Sequence, residues 1–534
     1  MVRPIKNPAQ QEDSVLISQS QKDRAEEFLR VADQFQLGEL STEASHPKTR
    51  ELASWSKKDL PKAVDCLHQI DLEALEQLKV YLPGILRLHR AIKESLKLQK
   101  RIYLCGCGAT GRLSLSLEYL WRRRFQSKEP TVDQVRAFMA GGDTALVHSL
   151  EGFEDFPEYG KRQLLQMGYQ EGDLLISCTE GGETPFVIGA TLAAAETKGP
   201  PPFFLYCNPE EILEKKVERS RLVLKNTQVD KLNLNVGPMA LAGSTRMQAS
   251  TVLMLAVGLA LFAEDESEIS RGLLEFTKFF RQTSIHNLIP FIEKESEAYQ
   301  QNEHILYHVE DYAITLFTDT TERSPTFSLP PFENQNSSHR QHSLSYVIID
   351  SARDARESWM KLLGRSPRPL NWTLESPKST EEYLLGFDFS RQGEFYRKRD
   401  IEGSHHDFYV RAKKNDLEWS LGNIGSQFPL FPSTTSLAEL FHHLQLKMLL
   451  NTHSTLVMGR LDRYRQNFMT WVKPTNGKLI DRAARYVLLL LKEEGMGTCS
   501  YEEVVRELFR QEAILGPKES IVIKAFAALS SKPK

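Results

Sequence analysis

Residues 101–124 constrain the fold of this chain more than any other stretch; they read RIYLCGCGATGRLSLSLEYLWRRR. The stretch begins with a short apolar run, passes through a loop containing Gly106, Gly108 and Gly111, and continues with apolar residues at helical spacing. This order predicts a strand, a glycine loop and a helix. A helix N-terminus reached in this way presents unpaired backbone N–H groups and a positive dipole end, and Thr110 adds a hydroxyl. The stretch therefore suits a bound phosphate or carboxylate.

Two other interpretations fit this loop, a structural turn and a dinucleotide-binding loop. A purely structural turn between strand and helix stays open, because such glycine loops are common. The spacing of the three glycines also fits the GxGxxG dinucleotide fingerprint, which needs an acidic residue at the end of a second strand. No acidic residue lies in such a position, since Glu118 falls inside the predicted helix. We therefore favour an anion site over a dinucleotide site.

The length, net charge and cysteine positions argue against several classes of protein. A length of 534 residues predicts about three to four domains, and a net charge of -3 argues against a general nucleic-acid binder. No apolar run approaches the ~20 residues of a membrane span, and the N-terminus lacks a secretory signal. The six cysteines are scattered, and Cys105 and Cys107 have no partners at metal spacing. We expect a cytoplasmic protein that binds no nucleic acid, membrane, metal or cofactor.

The pattern of strand, loop and helix repeats after the first glycine loop. Predicted strands at 135–139, 173–178 and 202–207 alternate with helices, of which one is predicted over 145–156. Alternation of this kind predicts a doubly wound parallel sheet, whose ligands bind beyond the carboxyl ends of the strands. Ser244, Thr245 and Arg246 then stand at the predicted start of a long apolar helix, where donors again collect at a helix N-terminus.

In the second half of the chain the sequence again predicts strands followed by loops, but without the glycine loop of the first half. Strands are predicted in DYAITLF and SLSYVIID, but the loop at 318–324 contains no glycine. Residues 365–425 are rich in charge, proline and glycine and predict long surface loops with short strands. From residue 435 onwards the periodicity is helical.

Several ordered motifs closely resemble the sugar isomerase (SIS) domain family, and within it the N-acetylmuramic acid 6-phosphate etherases and the glucokinase regulatory proteins. They are STEASHPKTRELA, GCGATGRL, AGGDTALVHSLEGFED, TEGGETPFVIG, CNP, GSTRMQAST and RQNFMTWVKPTNGKL, and together they cover most of residues 38–262 and 435–490. The resemblance implies a phosphosugar pocket.

The resemblance also implies a domain layout. Etherases of this family are homodimers of one SIS domain, whereas the regulatory proteins carry two in tandem under a helical cap. The length and the degenerate second half fit the tandem layout. We expect an extension at 1–37, a first SIS domain at 38–290, a degenerate second SIS domain at 291–434 and a helical cap at 435–534.

The etherase reaction eliminates lactate from the sugar and needs two groups for proton transfer. One glutamate of the family matches Glu154, with Glu151 three residues earlier as a substrate-binding candidate. The position of the other glutamate is Leu120 in this chain, and the nearby Glu118 lies about 200° away around a helix. We interpret Glu118 as a solvated or ion-paired residue, so one carboxylate of the pair is missing.

The resemblance also assigns the residues that bind the sugar phosphate: Gly108, Thr110, Gly111, Gly181, Thr184, Ser244, Thr245, Arg246 and Lys478. Three positions depart from the family pattern: Gly181 replaces a serine, Gln248 replaces a lysine, and Glu183 adds a negative charge beside the expected anion. Arg246 has the geometry for a bidentate phosphate contact, and its alternative role is an ion pair with Glu151 or Glu154.

The motifs thus predict a sugar-phosphate-binding regulator with weakened or lost catalysis, for fructose 6-phosphate or an amino-sugar 6-phosphate. Regulatory proteins of this type bind a sugar kinase, so a kinase is the expected partner class. The alternative is an active etherase, or another sugar-phosphate lyase or isomerase, in which Glu154 acts with Glu118, Glu180 or Glu183. A third alternative is a protein-interaction scaffold with an unused pocket.

Overall fold

The protein is described here from a computed structural model. The structure describes residues 8–35, 37–126, 128, 130–150, 152–337, 341–474, 476–496, 499–516 and 519–531. Glu151 therefore lies outside the described residues.

The described chain contains two five-stranded sheets and a large set of helices. The strands are β1 (Ile102–Gly106), β2 (Val135–Met139), β3 (Leu174–Cys178), β4 (Phe203–Tyr206), β5 (Asp230–Asn233), β6 (His304–Val309), β7 (Ser345–Ile349), β8 (His405–Lys413), β9 (Asp416–Leu421) and β10 (Ile424–Pro429). The helices are α1 (Pro8–Val31), α2 (Leu52–Lys58), α3 (Leu60–Leu78), α4 (Leu82–Lys97), α5 (Ala109–Phe125), α6 (Pro157–Gln166), α7 (Pro185–Ala195), α8 (Glu210–Lys216), α9 (Glu218–Leu224), α10 (Gln248–Phe262), α11 (Glu266–Gln282), α12 (Ile289–Gln300), α13 (Ala313–Thr320), α14 (Arg323–Phe327), α15 (Ala355–Leu363), α16 (Glu381–Leu385), α17 (Arg391–Asp400), α18 (Ala438–Arg460), α19 (Gly477–Glu493), α20 (Tyr501–Glu512) and α21 (Ile521–Ser530).

The first sheet confirms the predicted doubly wound architecture. Its strands are all parallel, in the order β2-β1-β3-β4-β5. Every residue of β1, β3 and β4 is buried, as expected for a parallel sheet with both faces covered by helices. The order places β1 and β3 side by side, so the loops that follow them open at the same edge.

The second sheet is mixed. Its order is β10-β9-β8-β6-β7, in which β6 is parallel to β7 and β8 while β9 and β10 form antiparallel pairs. The prediction of a strand in DYAITLF was wrong, because the strand precedes it and this stretch begins α13. Residues 313–317 are all buried, so their apolar run does not distinguish a strand from a helix.

The predicted helix over 145–156 was also wrong. Only a short 3-10 helix forms there, at Asp143–Leu146, and the described residues from 147 to 156 have irregular backbone and turns. Gly152 has φ +78, a left-handed conformation that a right-handed helix cannot contain. The next helix, α6, begins at Pro157. Glu154 is therefore presented by a loop.

We call the part of the chain around the first sheet the first domain and the part around the second sheet the second domain. Residues 365–372 join the second domain to the first. Arg365 forms ion pairs with Glu118 and Asp143, and Trp372 stacks on Phe153 at 5.9 Å between ring centroids. The prediction of surface loops over 365–425 therefore missed a buried contact, because ion-pair partners this distant in sequence leave no local pattern.

The C-terminal helices form two groups with different packing partners. Helix α18 is buried along nearly its whole length and packs on α2, α3, α10, α12 and α13, between the two domains. Helices α19, α20 and α21 pack on one another, and α1 lies against α20. Within the described residues, none of the helices combines the length and the apolar character that crossing a membrane requires.

Candidate functional site

A cavity of about 260 Å³ opens beyond the carboxyl ends of the first sheet's strands. Its wall contains seven of the residues that the sequence predicts: Gly108, Glu154, Thr184, Ser244, Thr245, Arg246 and Lys478. The second domain adds Glu322, and helix α19 adds Lys478 and Arg482. The site is thus assembled from the first domain, the second domain and the C-terminal helices.

The first glycine loop ends at the N-terminus of α5. Gly108 has φ +54, and a Cβ there would meet nothing within 4 Å, so the loop stays open toward the cavity. Gly111 packs α5 closely on β2, since a Cβ would lie 2.5 Å from Cβ of Met139. Thr110 uses its hydroxyl inside the loop, accepting from the Cys107 amide at 3.0 Å and donating to the Cys107 carbonyl at 2.8 Å. Of the three residues predicted in this loop to bind the ligand, Gly108 lines the cavity, whereas Thr110 and Gly111 do not.

Glu154 lies in the cavity wall and has two neutral partners. Its Oε1 accepts from Nδ2 of Asn476 at 2.8 Å, and its Oε2 accepts from Sγ of Cys107 at 3.2 Å. Burial raises the pKa of the Cys107 thiol well above its usual range, and the neighbouring Glu154 carboxylate raises it further. Cys107 is therefore a hydrogen-bond donor and not a thiolate nucleophile.

The second glycine loop carries Gly181, Glu183 and Thr184. The Gly181 carbonyl accepts from Asn208 at 3.0 Å, and the Thr184 hydroxyl lies 3.1 Å from the hydroxyl of Thr179. Burial raises the pKa of Glu183, but the ammonium of Lys478 and the guanidinium of Arg219 lower it more, to about 2. The extra negative charge of this loop is thus neutralised by the protein itself.

Ser244, Thr245 and Arg246 precede helix α10 and do not begin it, since α10 starts at Gln248. Ser244 is buried, and its Oγ has no hydrogen-bond partner in the described part of the chain. Arg246 is 3% exposed; its Nη1 lies 2.8 Å from Oδ1 of Asp319, and its Nη2 donates to Oγ1 of Thr455 at 2.9 Å. The carboxylate that pairs with Arg246 is therefore Asp319 of the second domain and not Glu154.

Helix α19 closes the cavity from the cap. Its N-cap, Asn476, accepts from the Leu479 amide at 3.0 Å and so turns its amide group toward Glu154. Lys478 Nζ lies 2.8 Å from Oε1 of Glu183. One turn later, Arg482 binds Glu43 with two hydrogen bonds of 2.9 and 2.6 Å. The sequence predicted Lys478 at this site and missed Arg482.

Arg112 is a fourth cation in the wall, and the sequence analysis did not single it out. It follows Gly111, is 1% exposed and forms an ion pair with Glu322 of the second domain. Its Nε also donates to the Leu146 carbonyl at 3.0 Å. The GRL part of the first motif was the available signal, since a buried arginine beside a glycine loop needs a carboxylate partner.

Glu118 lies outside this cavity. It is 1% exposed and accepts hydrogen bonds from Arg122, Arg365 and Arg368. Burial raises its pKa, but these guanidinium groups lower it more, to about 2. The ion-paired interpretation of Glu118 agrees with these contacts, although the residue is buried and not solvated. Leu120 is part of the apolar core.

Glu180 differs from the other acidic residues of the site. It lines the cavity and is 8% exposed, and its Oε1 has no hydrogen-bond partner within the described residues. Burial raises its pKa to about 7; Glu322 adds to this effect, and Lys478 opposes it. A carboxyl group in this state is able to donate or accept a proton near neutral pH.

The N-terminal motif STEASHPKTRELA is hydrogen-bonded to two other motifs beside the cavity. Asn208, in the CNP motif, donates to Oγ1 of Thr42 at 3.0 Å and accepts from the Thr42 amide at 3.1 Å. Asn467 donates to the His46 carbonyl at 3.0 Å and to Oγ1 of Thr49 at 2.8 Å. These buried amides join three separated motifs.

Part of the chain is similar in sequence to known proteins. Residues 85–195 match the model of the glucokinase regulatory protein N-terminal SIS domain. The N-acetylmuramic acid 6-phosphate etherase of Picosynechococcus sp. is 32% identical over 222 residues, which are 42% of this chain and 68% of that protein. The etherase of Salmonella agona is 30% identical over 229 residues, which are 42% of this chain and 69% of that protein.

Among solved structures, the tagatose-6-phosphate ketose/aldose isomerase of Escherichia coli aligns with a TM-score of 0.40 and 13% identity, covering 74% of this chain and 92% of that chain. The sequence matches to the etherases are the stronger result, since they extend over two thirds of those proteins. The chain therefore belongs to the SIS-domain family that includes the N-acetylmuramic acid 6-phosphate etherases.

Proposed function

We propose that this protein binds a sugar phosphate in the cavity and acts as a ligand-sensing regulator with weakened or lost catalysis. One observation carries the proposal: three buried polar atoms without partners among the described residues belong to side chains of this cavity wall. They are Oγ of Ser244, Nε of Arg246 and Oε1 of Glu180. Buried polar atoms without partners are costly unless a ligand or water satisfies them.

The backbone of the first loop supports an anionic ligand. Gly108 and Ala109 line the cavity at the N-terminus of α5, a helix of 17 residues. The positive end of its dipole favours a phosphate there. Ser244 supplies a hydroxyl donor, and Lys478 brings an ammonium group to the same cavity.

The acidic residues favour a sensor over a lactate-releasing enzyme. Elimination of lactate needs both a base and an acid at the sugar. Glu154 is in the cavity, but the second position is the core residue Leu120, and Glu118 is held by three arginines elsewhere. The output of such a sensor would be a changed affinity for a sugar kinase, the partner class that the resemblance to the regulatory proteins implies.

A thermal-shift titration with fructose 6-phosphate, glucosamine 6-phosphate and N-acetylmuramic acid 6-phosphate tests the proposal. A ligand that binds only the folded state raises the melting temperature with the logarithm of its excess over Kd. We expect a shift without lactate release, and at least a fivefold weaker affinity in Ser244→Ala. Ser426→Ala, in β10 of the second sheet, is the matched control and keeps the affinity. Absence of any shift would reject the proposal.

An active lyase is the second candidate, and Glu180 is the observation that favours it. Its pKa of about 7 and its place in the wall suit proton transfer together with Glu154. Lactate release from N-acetylmuramic acid 6-phosphate, abolished in Glu180→Gln, would select this candidate. A ligand-dependent change in glucokinase binding, measured by biolayer interferometry, would select the regulator.

A further inference from the structure

All four cations in the cavity wall already form ion pairs with carboxylates of the protein. Arg112 pairs with Glu322, Arg246 with Asp319, Lys478 with Glu183 and Arg482 with Glu43. A ligand that offered only negative charge would have to compete with these carboxylates. Glu183, Asp319 and Glu43 are each shared with a second cation, namely Arg219, Arg323 and Arg485, and none of the four cations that line the cavity is left without a carboxylate.

Glu154 and Glu180 are the acidic residues of the cavity wall that form no ion pair within the described chain. Neither forms an ion pair with another described residue: Glu154 accepts from a thiol and an amide, and Glu180 leaves Oε1 without a partner. Both side chains line the same cavity. Lys478 acts on both acids through space, but its Nζ is paired with Glu183 and forms no ion pair with either of them. Two acidic groups that face one cavity without a direct ion pair attract a positively charged group of a ligand.

The protonation state of Glu180 fits this interpretation. Burial and Glu322 disfavour its ionised form more than Lys478 and Lys447 favour it, so the carboxyl is largely neutral at slightly acidic pH. An ammonium group placed beside it would favour the carboxylate and release the proton to the buffer. A hydroxyl group at the same place would only exchange hydrogen bonds and would leave the proton where it is.

We propose that the cavity selects a sugar phosphate with a free amino group, whose ammonium is held by Glu180 and Glu154. This inference rests on the proposed sugar-phosphate function and names its ligand class. The phosphate occupies the N-terminus of α5 and the Ser244 hydroxyl, and the amino group lies against the two acids. An acetylated amino group carries no charge and offers this pair only one N–H donor.

Isothermal titration calorimetry with glucosamine 6-phosphate, glucose 6-phosphate and N-acetylglucosamine 6-phosphate tests the inference. The titrations are run at pH 6.5, where an amino group with a pKa of about 8 is protonated, in two buffers of different ionisation enthalpy. We expect glucosamine 6-phosphate to bind at least tenfold more tightly than glucose 6-phosphate and to release more protons. The shared phosphate group makes the same contribution to each titration, so the difference reports the amino group.

Glu180→Gln should reduce the affinity ratio of glucosamine 6-phosphate to glucose 6-phosphate to less than threefold and remove the additional proton release. Glu39→Gln, at an exposed ion pair with Lys216, is the matched control and keeps the ratio. If Glu180→Gln does not fold, Glu154→Gln and the comparison of the three ligands on the unaltered protein decide the question.

The titrations distinguish a failure of amine selection from a failure of sugar-phosphate binding. Binding of glucose 6-phosphate as tight as that of glucosamine 6-phosphate would overturn the selection of an amine and leave the sugar-phosphate function standing. Preferred binding of N-acetylglucosamine 6-phosphate would also overturn it, since that ligand is uncharged at the nitrogen. Absence of binding by all three ligands would reject both proposals together.

Discussion

Arg246 of the first domain and Asp319 of the second form a buried ion pair, with Nη1 and Oδ1 2.8 Å apart and both side chains at most 3% exposed. Asp319 also accepts from Arg323, Asn451 and Ser454. The residue expected to hold a phosphate therefore also holds the two domains together. Substitution of Arg246 is therefore expected to change the stability of the protein as well as its binding of a ligand.

Replacement of Arg246 by alanine should lower the free energy of unfolding by about 3–5 kcal/mol, because it leaves Asp319 with an uncompensated part of its charge in a buried site. Urea unfolding followed by circular dichroism measures the change. Arg90→Ala, at an exposed pair with Glu266, is the control and should move the midpoint little. An unaltered midpoint in Arg246→Ala would show that the pair contributes nothing to stability.

The ion pairs of Glu118 should make stability depend on pH at the acidic end. Its pKa falls from the ordinary 4.5 to about 2 in the folded protein, since Arg365, Arg368 and Arg122 together outweigh the effect of burial. A lowered carboxyl pKa stabilises the fold above pH 4.5, and this stabilisation is lost as the pH falls toward 2. The shift corresponds to about 3 kcal/mol.

Glu118→Gln tests this dependence. The difference in melting temperature between the unaltered protein and the variant should be greatest above pH 5 and shrink between pH 4.5 and 2. Other carboxylates titrate in the same range, and the comparison with the variant removes their contribution. A constant difference across this range would contradict the assignment.

Glu183→Gln should strengthen the binding of an anionic ligand. The substitution removes the carboxylate that holds Lys478 Nζ at 2.8 Å, so this ammonium group in the cavity wall becomes available to a phosphate. We expect about a tenfold lower Kd for a bound sugar phosphate, measured by calorimetry. Glu39→Gln removes an exposed pair of the same type and should leave Kd unchanged. A weaker affinity in Glu183→Gln would mean that Lys478 does not reach the ligand.

Asn467→Ala should loosen the cavity wall. The side chain is fully buried, donates to His46 and Thr49 and accepts from Oγ of Ser45 at 2.9 Å. Its loss leaves buried groups without partners, at a cost of about 1–3 kcal/mol each in unfolding free energy. Urea unfolding measures this cost. Asn415→Ala, in the turn between β8 and β9, is the control, and an equal effect there would argue against a specific role of Asn467.

The sequence by itself determined the first domain and much of the cavity wall. The apolar run before Gly106 and the glycine spacing after it predicted β1, the loop and α5, because buried strands and glycine turns leave local patterns. The motifs also identified seven residues that line one cavity, among them Glu154, Ser244 and Lys478. Resemblance to the SIS family supplied these positions, since spacing alone does not join segments so far apart in the chain.

Only the tertiary structure decided what charge those residues offer to a ligand. The ion-pair partners are far apart in the chain: Arg246 and Asp319 are separated by 73 residues, Arg112 and Glu322 by 210, and Lys478 and Glu183 by 295. No local pattern encodes such pairs. Glu180 stands apart because no partner among the described residues reaches its Oε1. An ionisable group acts through its nearest charges and its burial, and both are set by packing of the two domains and the C-terminal helices.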